Sequence, residues 1–335
     1  MLFLIACEQC FRRKIIFFVC MLFFSFCLQV QLTAQNLAKK DALFQTIRSG
    51  DADALNKLLG AAADPNDSLH DYSALMAAAL NGSADEMKIL IDHGATVNYQ
   101  NRNGLTALWL AAPDISKIKL LLDNGADAGH LIGGYGILAK LAGIPGTLPV
   151  IQMLVSKGAD MKKSAPDNTL VYNAAATGDT ALLGFFLSHG LLANDTTAFG
   201  DYPICNALTF CQFATLKMLV ENGANVNTQP STLISFPALV GLTPLMIAAL
   251  NRVKEPFFYL LDHGADPNLK NKKGYTAMML LEQSEAPDDF EMTKALIDHG
   301  AVVNEKAPDG TDARYYAGRK GKTQTVALLE KYANQ

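Results

Sequence analysis

Cysteine is scarce where it could staple a fold. Four of the six, Cys7, Cys10, Cys20 and Cys27, lie in the first 34 residues, and only Cys205 and Cys211 follow. A disulfide framework of the kind small secreted domains use is excluded. If those two share one helix, their Cα atoms are about 9 Å apart along its axis, beyond bridging distance. Both are read as buried, small apolar side chains. Positive charge is also in short supply. Net charge is −4, and beyond residue 34 there are 25 basic against 31 acidic residues. That leaves no excess to neutralise a phosphate backbone, so nucleic acid is not expected as a partner. Catalytic signatures are missing as well. After Ala34 there is no Gly-x-Ser-x-Gly, His-Glu-x-x-His, phosphate-cradling loop or Cys-x-x-Cys, and GGYG at Gly133–Gly136 lacks the spacing of a dinucleotide fingerprint. No catalytic residue, cofactor or metal is assigned, and the chain is read as non-enzymatic. What remains is a folded composition, 50% apolar and 18% charged, enough for a core held by packing alone.

One apolar run does occur, at the amino terminus. Arg12, Arg13 and Lys14 precede IIFFVCMLFFSFCL, Ile15 to Leu28, and the polar QVQLTAQ follows. The run is shorter than the roughly 20 residues that span a bilayer. The pattern resembles a secretory signal peptide with a cut after Ala34. Residues 1–34 are therefore set apart from 35–335, and the mature chain is expected in a periplasm or outside the cell. Retention of Ile15–Leu28 as a membrane anchor is the alternative.

The remainder repeats itself. LLDHGADPN, Leu260 to Asn268, places Asp262, His263 and Asp266 within five residues, the residue types of a metal or acid–base site. Its relatives argue for architecture instead. They are ILIDHGATVN (Ile89–Asn98), LLLDNGADAG (Leu120–Gly129), MLVSKGADMK (Met153–Lys162), FFLSHGLLAN (Phe185–Asn194), MLVENGANVN (Met218–Asn227) and ALIDHGAVVN (Ala295–Asn304). A weaker copy at Leu58–Asn66 has Ala62 where the Gly belongs. His93, His189, His263 and His299 share one phase, occupied elsewhere by Lys157, Asn124 and Asn222. A metal ligand would not be exchanged so freely; a side chain facing the last carbonyls of a helix would. Each glycine is expected to stop that helix in the left-handed conformation. Upstream of each copy stands a companion: SALMAAA from Ser73, TALWLAA from Thr106, TLVYNAA from Thr169, YPICNAL from Tyr202, TPLMIAA from Thr243 and TAMMLLE from Thr276. In the best of them Thr243 suits a helix N-cap, Pro244 the first helical position, and Ala248 and Ala249 a flat face for a close neighbour. Each unit therefore reads as helix, turn, helix and a hairpin-like connection, stable only when stacked.

Thr-Pro-Leu-x-x-Ala-Ala, followed about 20 residues later by Leu-Leu-x-x-Gly-Ala-Asp-x-Asn, resembles the ankyrin repeat. The resemblance covers Leu37 to Gln335 and implies an all-α repeat solenoid of about nine units. Leu37–Asn66 is the first cap. Full units follow at Asp67–Asn98, Tyr99–Gly129, His130–Lys163, Ser164–Asn194, Asp195–Asn227, Thr228–Asn268 and Leu269–Asn304, and Glu305–Gln335 closes the stack with Arg319, Lys320 and Lys322 as a wettable side. The family pattern has His after Thr-Pro-Leu; here that position holds Met76, Trp109, Tyr172, Cys205, Met246 and Met279, so apolar contact must serve that layer, with Trp109 in the core. Two stretches depart from the period. Thr228–Gly241 is long and apolar, and Leu280–Lys294 carries Glu282, Glu285, Asp288, Asp289 and Glu291 without a calcium-loop pattern, so it reads as a solvated acidic loop.

The resemblance also implies a binding scaffold that engages a protein through a concave face of hairpin tips and first helices. Carried over by position, the hairpin candidates are His70, Tyr72, Arg102, Asn103, Leu105, Asn168, Phe199, Asp201, Lys272, Lys273 and Tyr275. Those just after the Ala-Ala pair are Asn81, Asp114, Phe210 and Asn251, and Phe236 joins them from the apolar loop. The mixture of aromatic, amide and charged groups suits a protein partner. The chain is read as a monomeric, exported, non-enzymatic scaffold. The alternative is a membrane-anchored scaffold serving as accessory subunit of an envelope enzyme or complex. Asn66, Asn81 and Asn194 begin Asn-x-Ser/Thr triplets, which chance explains.

Overall fold

The computed structural model describes residues 29, 35–230, 237, 240–285 and 290–333. The signal-like segment apart from Gln29, most of the apolar loop including Phe236, and Asp288 and Asp289 lie outside the described residues. The chain divides into two compact units, one ending at Asp127 and the other beginning at Ala128.

Helix pairs build both units. In the first, α1 (35–49) and α2 (Ala52–Gly60) are followed by a two-residue hairpin, β1 (Ser68–Leu69) with β2 (Tyr72–Ser73). Then come α3 (Ala74–Asn81), α4 (Ala84–Asp92), α5 (Ala107–Ala111) and α6 (Ile115–Asp123). The second unit opens with the hairpin β3 (Leu131–Ile132) and β4 (Tyr135–Gly136), then α7 (Ile137–Leu141), α8 (Leu148–Ser156) and the short α9 (Met161–Ser164). It continues through α10 (Thr169–Thr177), α11 (Thr180–Ser188), α12 (Pro203–Thr209), α13 (Phe213–Glu221), α14 (Pro244–Asn251) and α15 (Lys254–Asp262). It ends with α16 (Ala277–Gln283), α17 (Phe290–Asp298), α18 (Ala313–Arg319) and α19 (Thr323–Ala333). Within each unit first helices pack on first helices and second on second: α3 meets α5 and α4 meets α6 in one, while α10, α12, α14, α16 and α18 form one row and α11, α13, α15, α17 and α19 another.

The repeated residues do what their chemistry predicts. Ser73, Thr106, Thr243 and Thr276 each accept a hydrogen bond from the backbone N–H three residues on, at 3.2, 3.3, 3.2 and 3.4 Å. The alanine pairs, from Ala78–Ala79 to Ala248–Ala249, are buried and allow close helix approach. Gly94, Gly125, Gly158, Gly190, Gly223, Gly264 and Gly300 all have φ between 81° and 100°. Nothing lies within 4 Å of a Cβ built on any of them, so backbone conformation alone demands glycine there. Ala62, in the weak copy, takes φ 65° regardless.

Histidine at the shared phase is a helix cap. The Nδ1 atoms of His189, His263 and His299 lie 2.8 Å from the carbonyls of Phe185, Tyr259 and Ala295, four residues back. A carbonyl only accepts, so each Nδ1 carries the proton. Asn124 and Asn222 donate their amides to Leu120 and Met218 at 2.8 and 2.7 Å in the same way. His93 differs and meets Asn56 Oδ1 at 3.0 Å.

A second use of asparagine joins neighbouring repeats. Asn227 donates its amide to Gly264 O at 3.0 Å and accepts from Asp266 N at 2.8 Å. Asn66, Asn98, Asn194 and Asn268 make the same pair of bonds to Gly94 and Thr96, Gly125 and Asp127, Gly223 and Asn225, and Gly300 and Val302. Each clasp fixes one turn against the next, and it engages the amides of Asn66 and Asn194, two of the three triplet asparagines. Gly129 and Lys162 stand at the clasp position in the intervening repeats.

Several expectations are corrected. Trp109 is half-buried rather than in the core, whereas Met76, Cys205, Met246 and Met279 are buried. Cys211 is exposed at φ 55° just past α12, because the turn there carries it out of the helix; Cys205 alone is buried. Lys322 is not a wettable surface group, nor Glu282 part of a solvated loop. Both side chains are 2% exposed, and Lys322 Nζ lies 3.2 Å from Glu282 Oε2. Its other protons satisfy the carbonyls of Leu281 and Glu282 at the end of α16, at 3.1 and 3.2 Å. Open helix-end carbonyls and a buried carboxylate give this lysine a reason to enter. Thr293 also donates to Glu282. Burial pushes the Glu282 carboxyl above its usual range, against the pull of Thr293 and Lys322.

Candidate functional site

The hairpin tips are shaped by one residue each. Asn101 Oδ1 accepts from the N–H groups of Asn103 and Leu105 at 3.0 and 2.9 Å, and Asn271 Oδ1 accepts from Lys273 and Tyr275 at 2.9 Å. Thr197 Oγ1 does the same for Phe199 and Asp201 at 3.3 Å. All three lie five residues before the first helical cap of their repeat, a phase that aligning the copies would have revealed.

In the amino-terminal unit the structure brings three predicted residues together. His70, at φ 49° in the β1–β2 turn, Tyr72 and Asn81 line one cavity of about 180 Å³ with Phe44, Ile47 and Arg48. Arg102 does not join them. Its backbone N–H donates to Asp71 Oδ2 at 2.8 Å and its Nε sits 3.8 Å from Asp71 Oδ1, tying adjacent hairpin tips. Asp114 is the N-cap of α6, accepting from Lys117 N at 3.1 Å. Asn103 is exposed and Leu105 half-buried on the same tip.

In the second unit the predicted residues separate into two places. Phe199, Asp201 and Phe210 gather around Tyr172. One cavity of about 300 Å³ lies between Tyr135, Asp167, Tyr172, Asn173, Phe199 and Asp201. A second, of about 570 Å³, shares Tyr172 and Asn173 and reaches Asn206 and Phe210. Phe199 and Phe210 are 51% and 49% exposed. Lys272, Lys273 and Tyr275 lie further along the chain, Tyr275 edge-on to Tyr316 with ring centroids 6.2 Å apart. Two predicted contacts are largely buried. Asn168 is 9% exposed, and its amide donates to Leu192 O and Asp195 O at 3.3 and 2.5 Å. Asp201 is 5% exposed and lines the smaller cavity from within. Asn251 spends its amide on Leu208 O at 3.3 Å.

The smaller cavity is acidic. Asp167 accepts from Tyr135 Oη at 3.0 Å, Thr169 Oγ1 at 2.5 Å and Ala198 N at 3.5 Å. Partial burial alone would push its carboxyl up, but these bonds outweigh it and hold the pKa below the usual range. Asp201 Oδ1 is buried with no hydrogen-bond partner, and burial raises its pKa. Burial, then the nearby Asp201 and Cys205, push the Tyr172 phenol up to about 12. The sequence pointed to Phe199, Asp201 and Phe210 but missed Tyr135, Asp167 and Asn173, which come from two other repeats.

Among the described residues no group of His, Cys, Asp or Glu is arranged to hold a metal ion, and no helix is long and apolar enough to cross a membrane. The family model for Ankyrin repeats (3 copies) matches residues 43–130 and 245–335, more than half of the chain. The chain is 24% identical over 267 residues to Ankyrin repeat and KH domain-containing protein mask-1 of Caenorhabditis elegans, covering 78% of this chain and 10% of that protein. It is 28% identical over 218 residues to Ankyrin repeat and SOCS box protein 6 of Homo sapiens, covering 56% and 52%. The chain thus spans a tenth of the one relative and about half of the other. Among solved structures it is similar to the human ASB11 ankyrin repeat domain, with a TM-score of 0.56 at 24% identity, over 69% of this chain and 99% of that one.

Proposed function

Because the chain belongs to the ankyrin repeat family, we propose that it is a non-enzymatic scaffold that binds another protein through its hairpin tips and first helices. The observation that carries this reading is the pair of adjoining cavities around Tyr172, with Phe199 and Phe210 half exposed at their rims. Large aromatic side chains beside a concavity are the kind of anchor point on which protein interfaces concentrate their energy. The backbone beneath is fixed by Thr197 and by the Asn168 amide, so little order must be gained on binding. The amino-terminal cavity at His70, Tyr72 and Asn81 offers a second contact of the same kind.

The scaffold works, in this reading, outside the cytoplasm. The basic Arg12–Lys14 stretch ahead of the apolar Ile15–Leu28 run supports export with cleavage after Ala34. Amino-terminal sequencing of the mature protein should find Gln35 first; an intact run in a membrane fraction would establish the anchored form instead.

Site-specific photocrosslinking in the native host tests the surface. A crosslinking residue at Phe199, Phe210 or Tyr72 should yield one common protein adduct. The same residue at His189 or His263, at second-helix ends, should not. Equal adducts from both sets, or none from the first, would overturn the assignment.

A further inference from the structure

We propose that the cavity between Tyr135, Asp167, Tyr172, Asn173, Phe199 and Asp201 receives a basic side chain, lysine or arginine, from the protein segment that docks on this chain. The inference rests on the scaffold reading and adds to it the chemistry of one contact.

Charge complementarity carries the argument. Of the residues lining the cavity two are acidic and none is basic. Asp167 has its oxygens engaged by Tyr135, Thr169 and the Ala198 N–H, and those donors stabilise it as a carboxylate. Asp201 is the opposite case. It is 5% exposed, and its Oδ1 has no hydrogen-bond partner. A buried carboxyl oxygen without a donor costs free energy that a partner can recover. A lysine ammonium offers three donors and an arginine guanidinium five, and either would meet the Asp201 carboxyl in the cavity wall while facing the charge on Asp167.

The rest of the wall fits the same guest. Tyr135, Tyr172 and Phe199 are aromatic, and ring faces attract cations while accommodating the apolar stem of a long basic side chain. Phe199 is half exposed at the rim, where a docking backbone would pass, and Asn173 places an amide in the same wall. A protonated Asp201 would need no cationic partner, and burial does raise its pKa. The two states give opposite results in a binding experiment.

The experiment uses the purified full chain, isotopically labelled and followed by NMR. The probes are Nα-acetyl-arginine amide, Nα-acetyl-lysine amide and the neutral isostere Nα-acetyl-norleucine amide. Saturable shifts are expected at the Asn173 side-chain amide and the Phe199–Asp201 amides with the two cations, with at least fivefold weaker response to norleucine. Asp201→Asn should weaken the cations at least fivefold while the thermal midpoint holds or rises, a result a purely structural aspartate would not give. Should Asp201→Asn fold poorly, Phe199→Ala at the exposed rim should weaken the same probes at least threefold. Norleucine shifting these residues as strongly as the cations, or cation binding unchanged in the folded variants, would overturn the proposal. Crosslinks from Phe199 without cation preference would sink this inference and leave the scaffold standing. Saturable cation binding with no crosslinked partner would leave the cavity's preference for cations standing and sink the docking protein as their source.

Discussion

Residues 131–193 and 194–333 belong to one compact unit and follow one repeat plan, yet they are joined differently. From Asn194 onward the asparagine clasp recurs at Asn194, Asn227 and Asn268, and Asn304 keeps its donated half, to Ala333 O at 2.9 Å. In the earlier stretch Lys162 stands at that position, the chain turns through the extra helix α9, and Asn168 clamps the next repeat from six residues further on. The family model matches 245–335 and leaves 131–244 unmatched. The smaller acidic cavity draws its walls from that unmatched stretch. Frame and cavity are thus written largely in different residues. Where the clasp is regular, polar groups are spent on neighbouring repeats; where it lapses, Tyr135, Asp167 and Tyr172 are left to meet Phe199 and Asp201 of the first regular repeat around a concavity.

The largest test of this contrast lies at the carboxy-terminal end. Lys322→Ala should cost about 3–5 kcal/mol, because it breaks the buried pair with Glu282 and leaves the α16 carbonyls open, and a urea titration measures it. Replacing both by Lys322→Met with Glu282→Leu should recover most of that loss. A single substitution costing under about 1 kcal/mol would mean that the regular region is not held more firmly than the irregular one, and the comparison would break.

Next come the clasps themselves. Asn268→Ala removes two inter-repeat hydrogen bonds and should cost about 1–2 kcal/mol. Asn168→Gly keeps the left-handed backbone of φ 58° and removes only the amide, so it should cost a similar amount. If Asn268→Ala is destabilising and Asn168→Gly silent, the irregular joint is unclamped and the contrast sharpens. If both are silent, it dissolves. A smaller effect of opposite sign is expected in the amino-terminal unit. Ala62 sits at φ 65° where the other copies have glycine, so Ala62→Gly should raise stability by roughly 0.5–1 kcal/mol, the steric relief less the entropy glycine loses.

What the sequence revealed and what it hid divide along the same line. Glycine, histidine and the threonine caps were legible because each acts within its own helix, and a fixed period repeats the local chemistry. Gly264 and His263 could be understood from nine residues. The clasp was not legible. Asn227 looks like an ordinary turn residue until its amide is seen on a carbonyl 37 residues away. Lys322 and Glu282 misled for a related reason: charged residues default to the surface, and only the open carbonyls of α16 explain their burial. Trp109 misled because a phase that is core in four copies is half-exposed at Trp109 and Tyr172. The candidate cavity was half visible. Phe199 and Asp201 follow from hairpin position, but Tyr135 and Asp167 reach them only through folding.

The smallest effects are in pH dependence, and they discriminate most finely, because two acids in one cavity should pull in opposite directions. Asp167 is held below the usual range. Around its unfolded pKa of about 3.9 the native state therefore binds fewer protons than the unfolded chain. Its contribution is fully present above that value and lost as the pH falls through the folded pKa. Asp201 is raised by burial, so the native state binds more protons than the unfolded one. Its stability contribution is full below about 3.9 and lost as the pH rises through the folded value. Denaturation midpoints measured from pH 3 to 6 should show the advantage of wild type over Asp167→Asn growing with pH, while its standing against Asp201→Asn declines. Slopes of the same sign would mean that the two carboxyls share one environment, and that the regular and irregular repeats differ in their joints but not in the chemistry they present.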